Sequence, residues 1–389
     1  MKIYKNRGGT IMIRKFEVKN YKNFKDTLSI DFTNVHDYQY NEYCVKNGLI
    51  NKMIIYGKNA VGKSNLGIAL YDIAMDVHIS RNPYNYKNDR MLFKNADAED
   101  EELVEFYYSF QFDDDIVDYS YKKKDVTDIV SESLHINDEL IFSYNTITGE
   151  QDFSNTIKIN ANDLNWNDFI EISDASGQDF IESTKPSALR YIIYNTIQKE
   201  SSLITKLSQF IKGMRFTPSL NSISPRLLLN EYFTDEESLL KFEKYLNNYG
   251  VKCKLKMIEG LDGKKDLYFD YKKPLLFSSN LSSGTIALTR FYIQYLSRVK
   301  PTFVFMDEFD AFYHFELSEK IISLLENEFD CQVILTSHNT NLLSNSIMRP
   351  DCFMILSNGK LTPICEATNR ELRQGHNLEK LYKNGEFDE

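Results

Sequence analysis

Gly57, Gly62, Lys63 and Ser64 stand at the spacing G-x-x-x-x-G-K-S, behind the apolar run Ile54-Ile55-Tyr56 and ahead of helix-forming residues. That spacing makes a phosphate-binding loop. Glycines let backbone N–H groups turn inward around an anion, and the following helix points its positive end at the same charge. Gly57, Lys58, Asn59, Ala60, Val61, Gly62, Lys63, Ser64 and Asn65 are therefore expected to hold a nucleotide. Lys63 reaches the β- and γ-phosphates, and the Ser64 hydroxyl holds Mg²⁺. Asp307 and Glu308 end a second apolar run, Phe303-Val304-Phe305-Met306. Paired acids at that place suit a Walker B motif: Asp307 completes the Mg²⁺ shell, and Glu308 polarises an attacking water as general base. Ser282, Ser283 and Gly284 open another helix and offer N–H groups, a hydroxyl and a dipole to an anion. One phosphate cradle already exists, so a second reads as a loop that closes over the nucleotide of another subunit. His338 follows the run Val333-Ile334-Leu335-Thr336 by two residues and is expected to bond the γ-phosphate or the water.

The elements that must position these groups follow from periodicity. Lys15–Tyr21 and Leu28–Phe32 alternate apolar and polar residues and read as a hairpin. Helix formers run from Lys63 to about Ile79. Leu103–Phe112 and Ile116–Tyr121 read as a second hairpin. Residues 125–185 are polar throughout and read as short strands and loops. Ala188 to Met214 and Glu236 to Tyr249 read as helices, and Met257 to Tyr271 as a hairpin about Asp262-Gly263. Phe303–Met306 and Val333–Thr336 are short and wholly apolar, as buried parallel strands are. Leu317–Glu326 reads as a helix, and the strands about Asn358-Gly359 as a hairpin. The tail from Asn369 is polar and helical in part. No heptad pattern is sustained, so no long coiled coil is expected.

The order of phosphate loop, Leu281-Ser282-Ser283-Gly284-Thr285, Asp307-Glu308 and Ser337-His338 resembles that of ATP-binding-cassette ATPases, and more narrowly the heads of SMC and RecF proteins. The turn Asn20-Tyr21-Lys22-Asn23-Phe24 resembles theirs too, where it lies near the nucleotide. His314 departs from the Asp usual at the end of the D-loop. Gln111 is the candidate for the glutamine such ATPases place beside the metal. The tail from Gly375 to Phe387 resembles that of bacterial AAA-family ATPases of the RloA or AbiLi abortive-infection type. OLD nucleases share the head, but too few residues follow His338 here for their TOPRIM domain. The resemblance implies an α/β P-loop NTPase with an ABC/SMC-head-like mixed sheet, an N-terminal antiparallel hairpin and an inserted α+β lobe. The head's halves are expected at 1–100 and 271–389 and the lobe at 101–270. It further implies ATP and Mg²⁺ as ligands, a homodimer or higher homo-oligomer through composite ATP sites, and a sensor or scaffold role in phage defence. A separately encoded effector, an RloB-like or TOPRIM-type nuclease, would do the damage, and a phage protein or nucleic acid would be the trigger.

Bulk properties narrow the alternatives. The chain has 389 residues, 42% hydrophobic and 26% charged, and a net charge of −10. No apolar run reaches the ~18 residues of a membrane span, and nothing at Met1–Arg7 reads as a signal peptide. Met12 reads as a second start. The cysteines, Cys44, Cys253, Cys331, Cys352 and Cys365, form no C-x-x-C pair and suit a reducing cytoplasm. The alternative, a RecF-like repair ATPase gripping DNA itself, calls for a basic balance. The acidic charge and the lack of a broad basic stripe weigh against it, and the small clusters Lys122-Lys123-Lys124, Lys264-Lys265 and Lys272-Lys273 read as solvated turn lysines.

Overall fold

Two sheets sandwich the helix that follows the phosphate loop. The computed structural model describes residues 11–78, 93–174, 187–218, 233, 235–259, 265–296 and 300–387. The Met1–Arg7 segment and the Asp262-Gly263 turn lie outside them. The first sheet has six strands in the order Met214–Thr217, Phe303–Met306, Gln332–Thr336, Lys52–Tyr56, Phe353–Ser357 and Lys360–Pro363. The first five run parallel, and the last returns antiparallel. Lys52–Tyr56, Phe303–Met306 and Gln332–Thr336 are buried at every residue, which is why their sequences lack alternation. The return turn has Asn358 and Gly359 both at positive φ, 48° and 73°, as a two-residue hairpin requires.

The second sheet is antiparallel and has seven strands: Gln151–Asp152, Glu139–Asn145, Ile129–Ile136, Asp115–Lys123, Val104–Phe112, Ile11–Lys19 and Leu28–Asp31. Both expected hairpins, the N-terminal one and that at 103–121, are present. They also pair with each other, Lys19 facing Glu105 and Met12 facing Gln111. The segment 101–270 is thus threaded into both sheets: its first strands extend the N-terminal hairpin, and Met214–Thr217 forms the edge of the parallel sheet. A third sheet, Leu255–Glu259, Lys265–Phe269 and Leu275–Leu276, stands beside the Glu236–Asn248 helix.

Two expectations change in detail. The stretch from Ala188 to Met214 is two helices, Ala188–Asn195 and Leu203–Gly213. Ser187 and Ser202 each cap one by accepting an N–H three residues on, so the second serine starts a helix where the periodicity reads straight through. The polar region 125–185 holds two long strands rather than short ones, together with a helix at Trp166–Asp174. Within those strands Ser131, Ser133 and Ser143 are half-buried, whereas Glu132 is buried and accepts the Ala188 N–H at 2.6 Å. Among the described residues no helix is long and apolar enough to cross a membrane.

The Lys63–Val77 helix is fastened on both sides. Toward the parallel sheet, a Cβ on Gly67 would come within 2.6 Å of the Phe305 ring, so glycine sets how closely helix and sheet approach. Toward the antiparallel sheet, the Tyr108 hydroxyl donates to the Ala69 carbonyl at 2.9 Å. Beside it the wholly buried Lys123 ammonium lies 2.5 Å from Asp72 and also pairs with Asp76. Tyr121 donates to the same Asp72 carboxylate at 2.9 Å. Removing one partner of a buried ion pair leaves charge without compensation. Lys123→Met is accordingly expected to cost about 3–5 kcal/mol, read as an earlier midpoint in denaturant unfolding. An unchanged midpoint would mean that water reaches these carboxylates. The two sheets are joined by Gln332, whose amide accepts from the Ile13 N–H at 2.6 Å and donates to the Ile13 carbonyl at 2.9 Å.

Candidate nucleotide site

The adjacent parallel strands Phe303–Met306, Gln332–Thr336 and Lys52–Tyr56 end side by side, so their C-terminal loops meet. Those loops carry Asp307-Glu308, Ser337-His338 and Gly57–Gly62. Ligands of parallel sheets bind at such carboxyl ends. A cavity of 300 Å³ opens here, lined by Asn23, Asn59, Ala60, Gly62, Lys63, Ser64, Asn65, Glu308 and His338.

The loop has the backbone that an anion cradle needs. Ala60 and Gly62 have positive φ, 64° and 108°. A Cβ on Gly62 would come within 2.9 Å of the Phe24 ring, so any larger residue is excluded by space as well as by φ. Phe24 belongs to the 20–24 turn, and its neighbour Asn23 donates to the Ala60 carbonyl at 3.3 Å and accepts from Asn65. The N-terminal turn therefore props the loop from outside. Lys63 is buried, and its ammonium donates to the carbonyls of Gly57 at 2.8 Å and Lys58 at 3.1 Å. Burial draws its pKa below the usual range, while Asp307 and Glu308 pull the other way. Of the expected loop residues, Gly57 is buried, Lys58 points to solvent and Val61 packs on the core beside Gly57; none of the three lines the cavity.

The Ser64 hydroxyl donates to Asp307 Oδ2 at 2.5 Å. Two hard oxygen donors from loop and strand end thus converge, as a Mg²⁺ that keeps most of its shell for water and phosphate requires. Thr336 donates to the other oxygen, Asp307 Oδ1, at 2.8 Å and accepts the Glu308 N–H at 2.7 Å. This one hydroxyl orders both acids. Sequence reasoning missed it, although its position directly before Ser337-His338 was available as a signal. Glu308 has φ 46°, a region that costs a non-glycine residue about 1–3 kcal/mol and is held here by the Thr336 bond. Its carboxylate lies 3.8 Å from His338 Nε2, and the two side chains, 40% and 41% exposed, face the cavity. Ser337 donates to Asp310 at 2.8 Å, tying the His338 loop to the acidic one. Burial raises the Asp310 pKa against that hydrogen bond.

Ser282, Ser283 and Gly284 are not brought to this cavity. Ser282 caps the Ser283–Phe291 helix through the Thr285 N–H at 3.2 Å, and both serines are exposed. Gly284 sits where a Cβ would approach the Phe312 carbonyl at 3.3 Å. His314 stands at the N-cap of Phe315–Glu328 without a side-chain capping bond. Gln111 is a correction. It sits six residue pairs from Glu105 along the strand beside Ile11–Lys19, whose other end leads into the 20–24 turn at the cavity. At ~3.3 Å per residue that is about 20 Å. Its amide instead donates to the Asp113 carbonyl at 3.2 Å in the hairpin turn.

Residues 52–344 match the family described as "AAA domain, putative AbiEii toxin, Type IV TA system". No curated protein matches the chain. Similar solved structures include an SMC head bound to the C-winged helix domain of ScpA, at 15% identity over 90% of this chain and 96% of that one, TM-score 0.43. The SMC head domain from Thermotoga maritima is 13% identical over 91% of this chain and 99% of that one, TM-score 0.41. An SMC head with an extended coiled coil, bound to the C-terminal domain of ScpA derived from Pyrococcus furiosus, is 12% identical over 91% and 96%, TM-score 0.44. The family match runs from the strand before the phosphate loop to beyond His338, and the chain belongs to this AAA-domain, AbiEii-type family.

Proposed function

We propose that this chain is a cytoplasmic, Mg²⁺-dependent ATPase that ATP assembles into a homodimer or higher homo-oligomer. In this reading it is the sensor or scaffold of a bacterial abortive-infection system whose separately encoded effector is an RloB-like or TOPRIM-type nuclease. A phage protein or nucleic acid serves as trigger. One observation carries the ATPase reading: Ser64 and Asp307 share a hydrogen bond at the wall of a cavity that also holds Lys63, Glu308 and His338. The defence role draws support from the toxin and toxin–antitoxin wording of the family description.

The chemistry follows from these groups. Ser64 and Asp307 would hold Mg²⁺, which would supply positive charge to the β- and γ-phosphates. Lys63 exchanges its two carbonyl acceptors for phosphate oxygens. The loop N–H groups and the start of the Lys63–Val77 helix take the remaining charge. Asp307, fixed by Thr336, keeps its place as a ligand. Glu308 accepts a proton from the attacking water, and ADP and phosphate leave. His338 donates a hydrogen bond to the γ-phosphate and stays within reach of Glu308. The exposed Ser282–Gly284 loop, remote from its own cavity, is free to close on the nucleotide of a second copy.

Phage challenge of cells carrying this gene with its genomic neighbour tests the role. Protection is expected from the unaltered pair and is lost with Lys63→Ala. Protection that survives Lys63→Ala would remove ATP from the account.

A further inference from the structure

Glu308 borders two cavities. Besides the phosphate-side cavity, a small, partly open and largely apolar space of 30 Å³ adjoins it, with Asp307, Glu308, Thr217, Arg290, Gln294 and Tyr295 among its walls. That is room for an ordered water, given polar partners. Both Asp307 oxygens are already engaged, one by Thr336 and one by Ser64. The Glu308 carboxylate has His338 beside it at 3.8 Å, beyond hydrogen-bond distance, and is the acid on this wall that lacks a hydrogen-bond donor among the described residues.

Gln294 is placed to supply it. The residue lies on the π-helical turn Tyr292–Leu296, which continues the Ser283–Phe291 helix. Such turns shift the direction of a side chain and gather at functional sites. Its Oε1 accepts from the Thr217 hydroxyl at 3.4 Å, and Thr217 is held in turn by Tyr295. With the oxygen so engaged, the amide nitrogen is the group left to donate, and it has no acceptor among the described residues. Arg290, on the same wall, adds positive potential.

We propose that Gln294 is a positioning residue for Glu308. Its amide N–H, directly or through one water in the small cavity, holds one carboxylate oxygen from behind and leaves the other facing the phosphate. This rests on the reading of Glu308 as the base. Gln294 and the Ser282–Gly284 loop ride on one unbroken helical run, so a shift of that loop carries the amide with it. Placement of the base is thereby tied to engagement of the loop.

The test is steady-state and single-turnover ATP hydrolysis by Gln294→Leu and Gln294→Glu, each alone and combined with Glu308→Gln. Gln294→Glu keeps the length and the oxygen that Thr217 bonds but carries no N–H. Both variants are expected to lower kcat about 10- to 100-fold, the scale of a misplaced reacting group, with KM for ATP within about twofold. Neither is expected to lower the residual rate of Glu308→Gln further, because the residue to be positioned is gone. Full turnover by Gln294→Glu, or an equal loss on both backgrounds, would overturn the inference while leaving the ATPase reading in place. Absence of turnover in the unaltered protein would overturn both.

Discussion

Glu308→Gln is expected to lower ATP turnover by about 10²–10⁴-fold, the usual contribution of a positioned general base, while ATP still binds. The two effects separate because Glu308 holds none of the phosphate-cradle bonds. The cradle is made by backbone from Gly57 to Gly62, by Lys63 and by Ser64, and the substituted amide preserves the shape of the side chain. The carboxylate lies on the cavity side of a strained backbone turn, its N–H fixed by Thr336. An amide there keeps the turn and the contact with His338 but cannot take a proton. Phosphate release under saturating ATP measures the loss, and equilibrium binding of a fluorescent ATP analogue measures what remains. A rate within tenfold of the unaltered protein would assign the base elsewhere.

Lys63→Ala is expected to act on binding as well. The ammonium is buried and donates to two backbone carbonyls, bonds it can exchange for phosphate oxygens without moving its stem. A hydrogen bond to a charged group contributes about 1.5–3 kcal/mol, so losing two weakens ATP binding by about 10²–10⁴-fold. Burial already pulls the lysine pKa down, and Asp307 and Glu308 pull it back. A triphosphate adds to the second influence and keeps the group charged. Binding titrations at equal Mg²⁺ check this. Affinity unchanged in Lys63→Ala would remove Lys63 from the phosphates.

The site was legible in the sequence wherever chemistry is local. Gly57 to Ser64, Asp307-Glu308 and His338 each end or follow a strand whose wholly apolar run marks it as buried, so type and position agree. What depends on long-range pairing was not legible. Pairing of Val104–Phe112 with Ile11–Lys19 carries Gln111 to the far end of the sheet, and spacing along the chain does not reveal it. The two roles of Thr336 depend on a neighbouring strand. Gln294 is hidden for a different reason. It lies on a π-helical turn and lines the same small cavity as Asp307 and Glu308, and a 3.6-residue period cannot anticipate that. The fold shows the same division. Hairpins with local turns were read correctly, whereas the break before Ser202 was lost inside a continuous helical pattern.

The Ser282–Gly284 loop does not line the phosphate cavity of its own chain, so in the proposed function the complete site needs two copies. The most direct measurement is the solution mass of the Glu308→Gln protein with ATP, in the presence of Mg²⁺ and then of a chelator. A doubled or higher mass is expected with Mg²⁺ and ATP, reverting with the chelator and absent when Ser283→Arg is added to the same protein. A protein that binds Mg²⁺ and ATP yet keeps the mass of a single chain would contradict it.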